Sequence, residues 1–271
     1  MKKAALHNLG CKVNAYETEA MEQMLMDDGY EIVPFSDEAD VYVINTCSVT
    51  NIADRKSRQM IHRVRKVNPK AIVVAAGCYI QTATMAGVSP EELSCDIVIG
   101  NNNKNKLIEE LHRYEKEHRM ETAIFDINEG VAEYEDMMLS SFKEHTRAFV
   151  KIQDGCNQFC SYCIIPYARG RVRSRKPESI LEEVKNLARN GYREVVLTGI
   201  HVTSYGIPGE VEFIDVIEMI HDVDGIERIR LSSLEPQVCT QDFCERLSKL
   251  KKLCPQFHLS MQSGCNTVLK R

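Results

Sequence analysis

Three cysteines lie within eight residues, Cys156, Cys160 and Cys163, in the spacing CxxxCxxC. They follow a strand-like run, Phe149 to Ile152, so we expect them on a loop at the carboxyl end of a strand. Three thiolates on one loop can bind three irons of a [4Fe–4S] cluster and leave the fourth iron open to a ligand that is not protein. A structural zinc site is the alternative, but it takes four ligands, and no fourth Cys or His is near in sequence. The spacing therefore favours a reactive iron–sulfur cluster.

Three more cysteines, Cys11, Cys47 and Cys78, each follow a predicted strand in the first third of the chain. In a doubly wound parallel sheet the carboxyl ends of the strands line one crevice, so these thiols are expected to converge there. Two interpretations are open from the residues alone: a second cluster, or three buried core cysteines.

The elements that must position these cysteines follow from periodicity. Apolar β-branched runs such as Val41 to Ile44 alternate with helix-like stretches such as Ile52 to Val67, which predicts βαβ units and an α/β fold. We predict an N-terminal doubly wound (flavodoxin-like) parallel-sheet domain over residues 1–117, an acidic linker over 118–144, and a second βα domain over 145–271. A full (β/α) barrel takes about 250 residues, and the second domain has about half that number, so a partial barrel that is cut short is expected.

The predicted elements of the second domain are four strands and three helices. The strands are Arg147 to Ile152, Glu194 to Leu197, Arg228 to Leu231 and Phe257 to Ser260, and the helices are Glu178 to Arg189, Phe213 to Ile220 and Asp242 to Leu250.

Composition excludes several classes of protein. The 271 residues carry a net charge of −5, so any nucleic-acid contact must come from local patches. Eleven cysteines in a chain of this size do not form a disulfide framework if the chain is intracellular. The start lacks a signal-peptide core, and no run reaches the roughly 18 apolar residues of a membrane span, which predicts a cytoplasmic protein without a membrane partner.

Two basic segments are candidates for RNA contact. Five cations occur directly after the cysteine loop: Arg169, Arg171, Arg173, Arg175 and Lys176. They suit a phosphate clamp, although a solvated turn or a site for a cofactor carboxylate is the alternative. A second group occupies one predicted helix and has a plain solvated face as its alternative: Arg55, Lys56, Arg58, His62, Arg63, Arg65 and Lys66.

The CxxxCxxC loop resembles that of the radical S-adenosylmethionine (SAM) superfamily. The resemblance implies a [4Fe–4S] cluster on the three cysteines, with SAM on its open iron. It also implies cofactor contacts from residues that match the superfamily's strand ends, and ordinary strand-end turns are the alternative for each. These candidates are Tyr162, Thr198, Gly199, Ser232, Glu235 and Gln262.

Across nearly the whole chain, the sequence resembles the methylthiotransferases. The resemblance rests on the run from Gly10 to Glu19, on Asn45-Thr46-Cys47 and Ala76-Gly77-Cys78, and on the CxxxCxxC loop. It implies a second [4Fe–4S] cluster on Cys11, Cys47 and Cys78, and a radical SAM barrel as the second domain. It also implies a C-terminal RNA-binding β-barrel, which we expect to be missing from these 271 residues. The other five cysteines are expected to serve packing: Cys95, Cys239, Cys244, Cys254 and Cys265.

The opening and the cysteine loop look most like the branch of the family that adds a methylthio group to C2 of N6-threonylcarbamoyladenosine at position 37 of tRNA. That branch implies a 5′-deoxyadenosyl radical that abstracts the C2 hydrogen, an electron donor such as flavodoxin or ferredoxin, and a sulfur donor. The alternatives are isopentenyladenosine in tRNA or a ribosomal-protein aspartate as substrate. An alternative of another class is a non-catalytic iron–sulfur or zinc scaffold that binds RNA.

Overall fold

The computed structural model describes residues 1–129, 133–139 and 147–271, and the chain divides into two compact units. The first unit comprises Met1–Leu139 and Gly155–Arg171, and the second comprises Ser140–Asp154 and Val172–Arg271. The segment that carries CxxxCxxC, which the sequence assigned to the second domain, therefore packs within the first unit. The domain boundaries given above remain predictions.

A six-stranded parallel sheet forms the centre of the first unit. Its strands are β1 (Lys3–Asn8), β2 (Glu31–Ile32), β3 (Val41–Thr46), β4 (Ile72–Gly77), β5 (Ile97–Ile99) and β6 (Glu121–Ala123). Its helices are α1 (Lys12–Asp27), α2 (Asn51–Val67), α3 (Cys78–Met85), α4 (Pro90–Leu93), α5 (Leu107–Glu117) and α6 (Ile165–Arg169), with a 3₁₀ helix at Lys104–Lys106. The strand order is β2-β1-β3-β4-β5-β6, and its first five positions are the order of flavodoxin-like sheets. The predicted doubly wound α/β fold is confirmed.

The sheet is buried on both faces, as parallel sheets require. All six residues of β3 are buried, and alternate ones, Tyr42 and Ile44, join a core cluster with Ile61 and Val64 of α2. Helix α2 begins where the Thr50 side chain accepts a hydrogen bond from the backbone N–H of Ala53, at 3.1 Å. Burial of the strands therefore fixes the positions of their carboxyl ends, where the following loops begin.

The second unit is also α/β, as predicted. Three parallel strands, β7 (Ala148–Lys151), β10 (Glu194–Thr198) and β13 (Arg228–Leu231), form a sheet in the order β13-β10-β7. Two antiparallel pairs join β8 (Gln153–Asp154) to β9 (Arg173–Ser174) and β11 (Gly206–Ile207) to β12 (Val211–Glu212). The helices are α7 (Pro177–Arg189), α8 (Phe213–His221), α9 (Gln241–Ser248) and α10 (Asn266–Leu269), with 3₁₀ helices at Val202–Ser204 and Pro236–Val238.

Two predicted segments differ in the structure. The strand expected at Phe257 to Ser260 is wrong: only a single bridge forms there, between Leu234 and Leu259, because β13 ends at Leu231 and little extended chain continues beside it. The predicted linker begins with β6, which pairs in parallel with β5. Residues 130–132 and 140–144 of that linker lie outside the described residues.

Across the described part of the chain, none of the helices combines the length and the apolar sequence that a membrane crossing needs.

Candidate iron–sulfur and cofactor site

The first cysteine triad lies at the carboxyl ends of three adjacent strands. Cys11 follows β1 and caps α1, Cys47 follows β3, and Cys78 follows β4 as the first residue of α3. Cys47 and Cys78 are buried and Cys11 is exposed. Burial raises the pKa of Cys47; the backbone N–H of Val49 lowers it, and the charges of Cys78 and Cys11 raise it. The three thiols therefore lie within electrostatic reach of one another.

Two glycines allow this approach. Gly10 has φ +118°, and a Cβ there would lie 2.8 Å from Cys47 Sγ. Gly77 has φ +96°, and a Cβ there would lie 2.6 Å from both Asn45 Oδ1 and the Thr46 carbonyl. Any larger residue would push the strand ends, and with them the cysteines, apart.

Side-chain amides surround the same thiols. Buried Asn14 holds the strand ends by donating to the carbonyls of Leu9 (2.7 Å) and Thr46 (2.9 Å), and its Oδ1 lies 3.9 Å from Cys11 Sγ. Asn101 Nδ2 lies 3.5 Å from Cys78 Sγ. Asn14 thus presents an acceptor to Cys11, whereas Asn101 directs an N–H at Cys78, and such an N–H would stabilise a cluster-bound thiolate.

Two cations and one carboxylate are fully buried beside this triad. Arg169 pairs with Glu17 through two hydrogen bonds of 2.9 and 3.0 Å, and it also donates to Asn14 Oδ1 at 2.6 Å. Lys104 Nζ lies 3.0 Å from Glu17 and 2.6 Å from Asn101 Oδ1. The group carries one net positive charge next to three potential thiolates, and Arg169 lowers the pKa of Cys47.

Three thiols at the ends of neighbouring strands are a donor set that fits an iron–sulfur cluster. In the part of the chain that the structure describes, no three His, Cys, Asp or Glu side chains are close enough to hold a single ion. A cubane cluster does not need that closeness, because each thiolate binds a different iron. Ligation by Cys11, Cys47 and Cys78 stays a prediction.

The second triad lies on the loop between β8 and α6. Cys156 is buried, Cys163 is half-buried and Cys160 is exposed. The backbone N–H of Cys156 donates to the Gly170 carbonyl at 3.0 Å, and that of Cys163 donates to the Cys160 carbonyl at 2.9 Å. The loop is thus anchored at Cys156 and leaves Cys160 accessible.

Backbone geometry at the start of this loop requires glycine. Gly155 has φ +74°, and a Cβ there would lie 1.9 Å from the carbonyl oxygen of Arg171. The Arg171 guanidinium in turn lies 4.3 Å from the ring centroid of Phe159, whose φ is also positive, at +47°. Tyr162, a predicted cofactor contact on the same loop, is 73% exposed.

The predicted cofactor residues of the second unit follow adjacent strands. Thr198 ends β10 and is buried, and Ser232, just beyond β13, donates to its hydroxyl at 3.0 Å. A Cβ on Gly199 would lie 2.8 Å from Gln153 Oε1. Glu235 lies at the start of a 3₁₀ helix, whereas Gln262 lies in the exposed C-terminal segment with φ +61°.

Two polar residues at these strand ends were not singled out from the sequence. Gln153 Oε1 accepts a hydrogen bond from the backbone N–H of His201 at 2.8 Å. The His201 ring has Nδ1 2.5 Å from Ser204 Oγ and Nε2 3.8 Å from Glu235 Oε1. The signal in the sequence was a histidine two residues after Gly199, in the turn that leaves β10.

The predicted phosphate clamp is wrong for three of its five members, because their guanidinium groups are buried in internal pairs. Arg169 binds Glu17, and Arg173 lies 4.0 Å from Asp154. Arg175 binds Glu183 and also donates to Ser179 Oγ at 3.1 Å. Only Arg171 and Lys176 are exposed.

Comparison with known proteins gives two family matches. Residues 3–100 match the model of the uncharacterized protein family UPF0004, and residues 150–271 match the radical SAM superfamily. Together the two matches cover most of the chain.

Curated relatives align over nearly all of it. The chain is 43% identical to the threonylcarbamoyladenosine tRNA methylthiotransferase MtaB of Bacillus subtilis (100% of this chain, 60% of that protein). It is 40% identical to the protein of the same name from Aquifex aeolicus (99% and 65%). It is 37% identical to a tRNA-2-methylthio-N(6)-dimethylallyladenosine synthase of Clostridium botulinum (98% and 59%). The chain thus spans about 60% of the length of these relatives.

A solved structure shares the fold. The radical SAM methyltransferase TsrM from Kitasatospora setae, with tryptophan substrate and a SAM analogue bound, superposes with a TM-score of 0.66 at 15% identity, over 99% of this chain and 61% of that one. At that identity the likeness concerns the fold alone. On the two family matches and the relatives, the chain is similar to the radical SAM methylthiotransferases over nearly its whole length.

Proposed function

We propose that this chain acts in tRNA modification, adding a methylthio group to C2 of N6-threonylcarbamoyladenosine at position 37. The observation that carries the proposal is the pair of cysteine triads at strand ends, in a chain 43% identical to a protein named for this reaction. The site of action is the cytoplasm, and the partners are tRNA, an electron donor such as flavodoxin or ferredoxin, and a sulfur donor.

Each triad has its own task in this proposal. Cys156, Cys160 and Cys163 would hold the [4Fe–4S] cluster that binds SAM, and Cys11, Cys47 and Cys78 would hold a second cluster. When bound, the first cluster would supply the electron for reductive cleavage of SAM, and the second would supply sulfur for the transfer.

The chain's own residues position the reactants. Ser232 donates to the Thr198 hydroxyl and orients it, and Gly199 lets the end of β10 pack closely against Gln153. The amino acid part of SAM would bind beside these strand ends. Glu235, Tyr162 and Gln262 would complete the cofactor contacts. The two buried cations around Glu17 leave one net positive charge, which would offset part of the negative charge of cluster-bound thiolates.

An anticodon-loop base suits such a site. Bases in single-stranded loops can be splayed out and stacked, whereas those in an A-form duplex are hard to reach. The relatives named for dimethylallyladenosine share 37% identity, so nucleoside analysis must separate the two substrates.

The test is anaerobic reconstitution of wild type, Cys156→Ala and Cys47→Ala, with SAM cleavage and tRNA nucleosides followed by mass spectrometry. Cys156→Ala should abolish SAM cleavage. Cys47→Ala should retain cleavage but yield no methylthio product. SAM cleavage by the Cys156 variant at the wild-type level would refute the assignment of the SAM-binding cluster to that triad. A methylthio product on dimethylallyladenosine or on a protein aspartate would identify a different substrate.

Iron content tests the two clusters separately. Wild type should bind about eight irons per chain, and a variant lacking Cys156, Cys160 and Cys163 about four. If wild type binds only about four irons and the variant binds none, Cys11, Cys47 and Cys78 hold no cluster and serve packing. Zinc without iron would favour the non-catalytic scaffold.

A further inference from the structure

Helix α2 has one buried face and one cationic face. Ser57, Ile61 and Val64 are buried, and the last two join the core cluster beneath the helix. The residues on the opposite face are exposed and basic: Arg55, Lys56, Arg58, His62, Arg63 and Lys66. Apolar side chains that are strongly exposed occur only near the two ends of the helix, at Ile52 and Val67.

These charges are not neutralised by carboxylates. Among residues 1–129, 133–139 and 147–271, no Asp or Glu forms an ion pair with any of the five exposed Arg and Lys side chains of this face. Arg65, on the flank of the same helix, shows the contrast, because it lies 2.6 Å from Asp96. The one acidic residue of the helix, Asp54, accepts a hydrogen bond from Ser48 at 2.6 Å. A local excess of positive charge therefore stands out on a chain whose net charge is −5.

The same helix is bonded directly to a predicted cluster ligand. The backbone N–H of Cys47 donates to Ser57 Oγ at 3.3 Å, and Ser57 Oγ lies 3.2 Å from the Cys47 carbonyl. A helix is about 10 Å across, so anything bound along the exposed face lies about one helix diameter from Cys47. From Arg55 to Lys66 the basic row runs about 16 Å along the axis.

We propose that the exposed face of α2 binds the phosphate backbone of the substrate RNA and so delivers the target loop towards Cys47; this inference rests on the proposed function. A row of cations without carboxylate partners suits the repeated charge of a polynucleotide. A protein partner would be expected to require an apolar centre, which this face lacks.

The test measures binding of a fluorescently labelled anticodon stem–loop RNA to the chain by anisotropy, at salt concentrations from 50 to 200 mM. The variant is the triple substitution Lys56→Gln, Arg63→Gln and Lys66→Gln. The matched control removes three exposed lysines from the second unit, Lys185→Gln, Lys249→Gln and Lys251→Gln. Circular dichroism checks that both variants keep their helix content.

At 0.1 M salt the α2 variant should bind about ten- to hundredfold more weakly than wild type, and the slope of log Kd against log salt should fall by about 2 to 3. The control should stay within about twofold. Equal losses in both variants, or none in either, would overturn the inference.

Further outcomes separate this inference from the proposed function. If wild type cleaves SAM but does not bind the RNA, the α2 inference fails while the radical chemistry stands. If binding depends on α2 but the wild type forms no methylthio product, the surface stands and the proposed reaction fails. If the α2 variant keeps RNA binding and loses reduction by flavodoxin, an acidic protein docks there and the inference is wrong.

Discussion

Arg169 and Glu17 form a fully buried ion pair with two hydrogen bonds, from Nη1 to Oε1 at 2.9 Å and from Nη2 to Oε2 at 3.0 Å. Arg169 ends α6, six residues after Cys163, and Glu17 lies on α1, six residues after Cys11. One ion pair therefore ties the segment that carries the CxxxCxxC loop to the helix that follows the first cysteine of the other triad.

Glu17→Gln should destabilise the chain by about 3–5 kcal/mol, because it leaves Arg169 and Lys104 buried without their shared carboxylate. The measurement is chemical denaturation followed by circular dichroism. Glu109→Gln is the matched control: that carboxylate pairs with Arg113 at the surface, and its loss should cost about 1 kcal/mol or less. If the two substitutions lowered the free energy of unfolding by similar amounts, burial would not explain the contribution of the Arg169–Glu17 pair to stability.

The roles of these charged residues could not be predicted from the sequence. The run from Arg169 to Lys176 suggested a continuous cationic strip, but a run of charges does not show which side chains will find buried partners. Arg169 meets a carboxylate 152 residues away, on another element. By contrast, Cys47 and Cys78 could be placed correctly at strand ends, because β-branched runs followed by Thr or Gly define where those parallel strands stop. Cys11 could be placed by Gly10, which follows the first apolar run.

Gly155→Ala should remove the iron bound by the CxxxCxxC loop. The new Cβ would lie 1.9 Å from the Arg171 carbonyl, so the turn that leads into Cys156 must shift. Gly209→Ala is the control that separates this clash from backbone strain. Gly209 has nearly the same φ, +76°, but a Cβ added there would have no atom within 4 Å. Iron per chain after reconstitution should fall by about half in Gly155→Ala and stay at the wild-type level in Gly209→Ala. Equal iron in both variants would contradict the steric argument.

The stability of the second unit should fall in acid through Glu194. Burial acts to raise the pKa of this carboxyl, but hydrogen bonds from Arg228 and Arg230, both 2.7 Å, outweigh it and hold the pKa below its usual range. A carboxyl with a lowered pKa in the folded state stabilises the fold above the unfolded-state pKa, and this contribution is lost as the pH falls through the folded-state pKa.

Glu194→Gln should therefore be less stable than wild type at pH 7 and lose less stability between about pH 5 and pH 3. Denaturation midpoints at several pH values measure both effects. Glu182→Gln, an exposed carboxyl on α7, should keep the wild-type pH dependence. Parallel pH profiles for wild type and Glu194→Gln would rule out this role.

The Thr198–Ser232 bond shows a second limit of prediction from sequence. Each residue could be placed at a strand end because β10 and β13 have clear apolar patterns, and parallel pairing of these neighbours brings the two hydroxyls together. The strand expected at Phe257 to Ser260 has a similar local pattern. Strand pairing, however, needs a neighbouring extended segment of matching length. Beyond the end of β13 at Leu231, only Leu234 forms a bridge to the expected strand.

Two cysteines outside the triads should differ sharply in reactivity. Cys265 is exposed, and hydrogen bonds from the backbone N–H groups of Val268 and Thr267 lower its pKa. Cys95 is fully buried, and burial raises its pKa to about 12. Because the thiolate is the nucleophile, iodoacetamide at pH 7 should alkylate Cys265 within minutes and leave Cys95 unmodified until the chain is unfolded. Peptide mass spectrometry over a time course follows each site, with exposed Cys244 as the internal reference. Alkylation of Cys95 in the folded chain at the rate of Cys244 would show that the first unit opens around β5, and would contradict the packing described for its core.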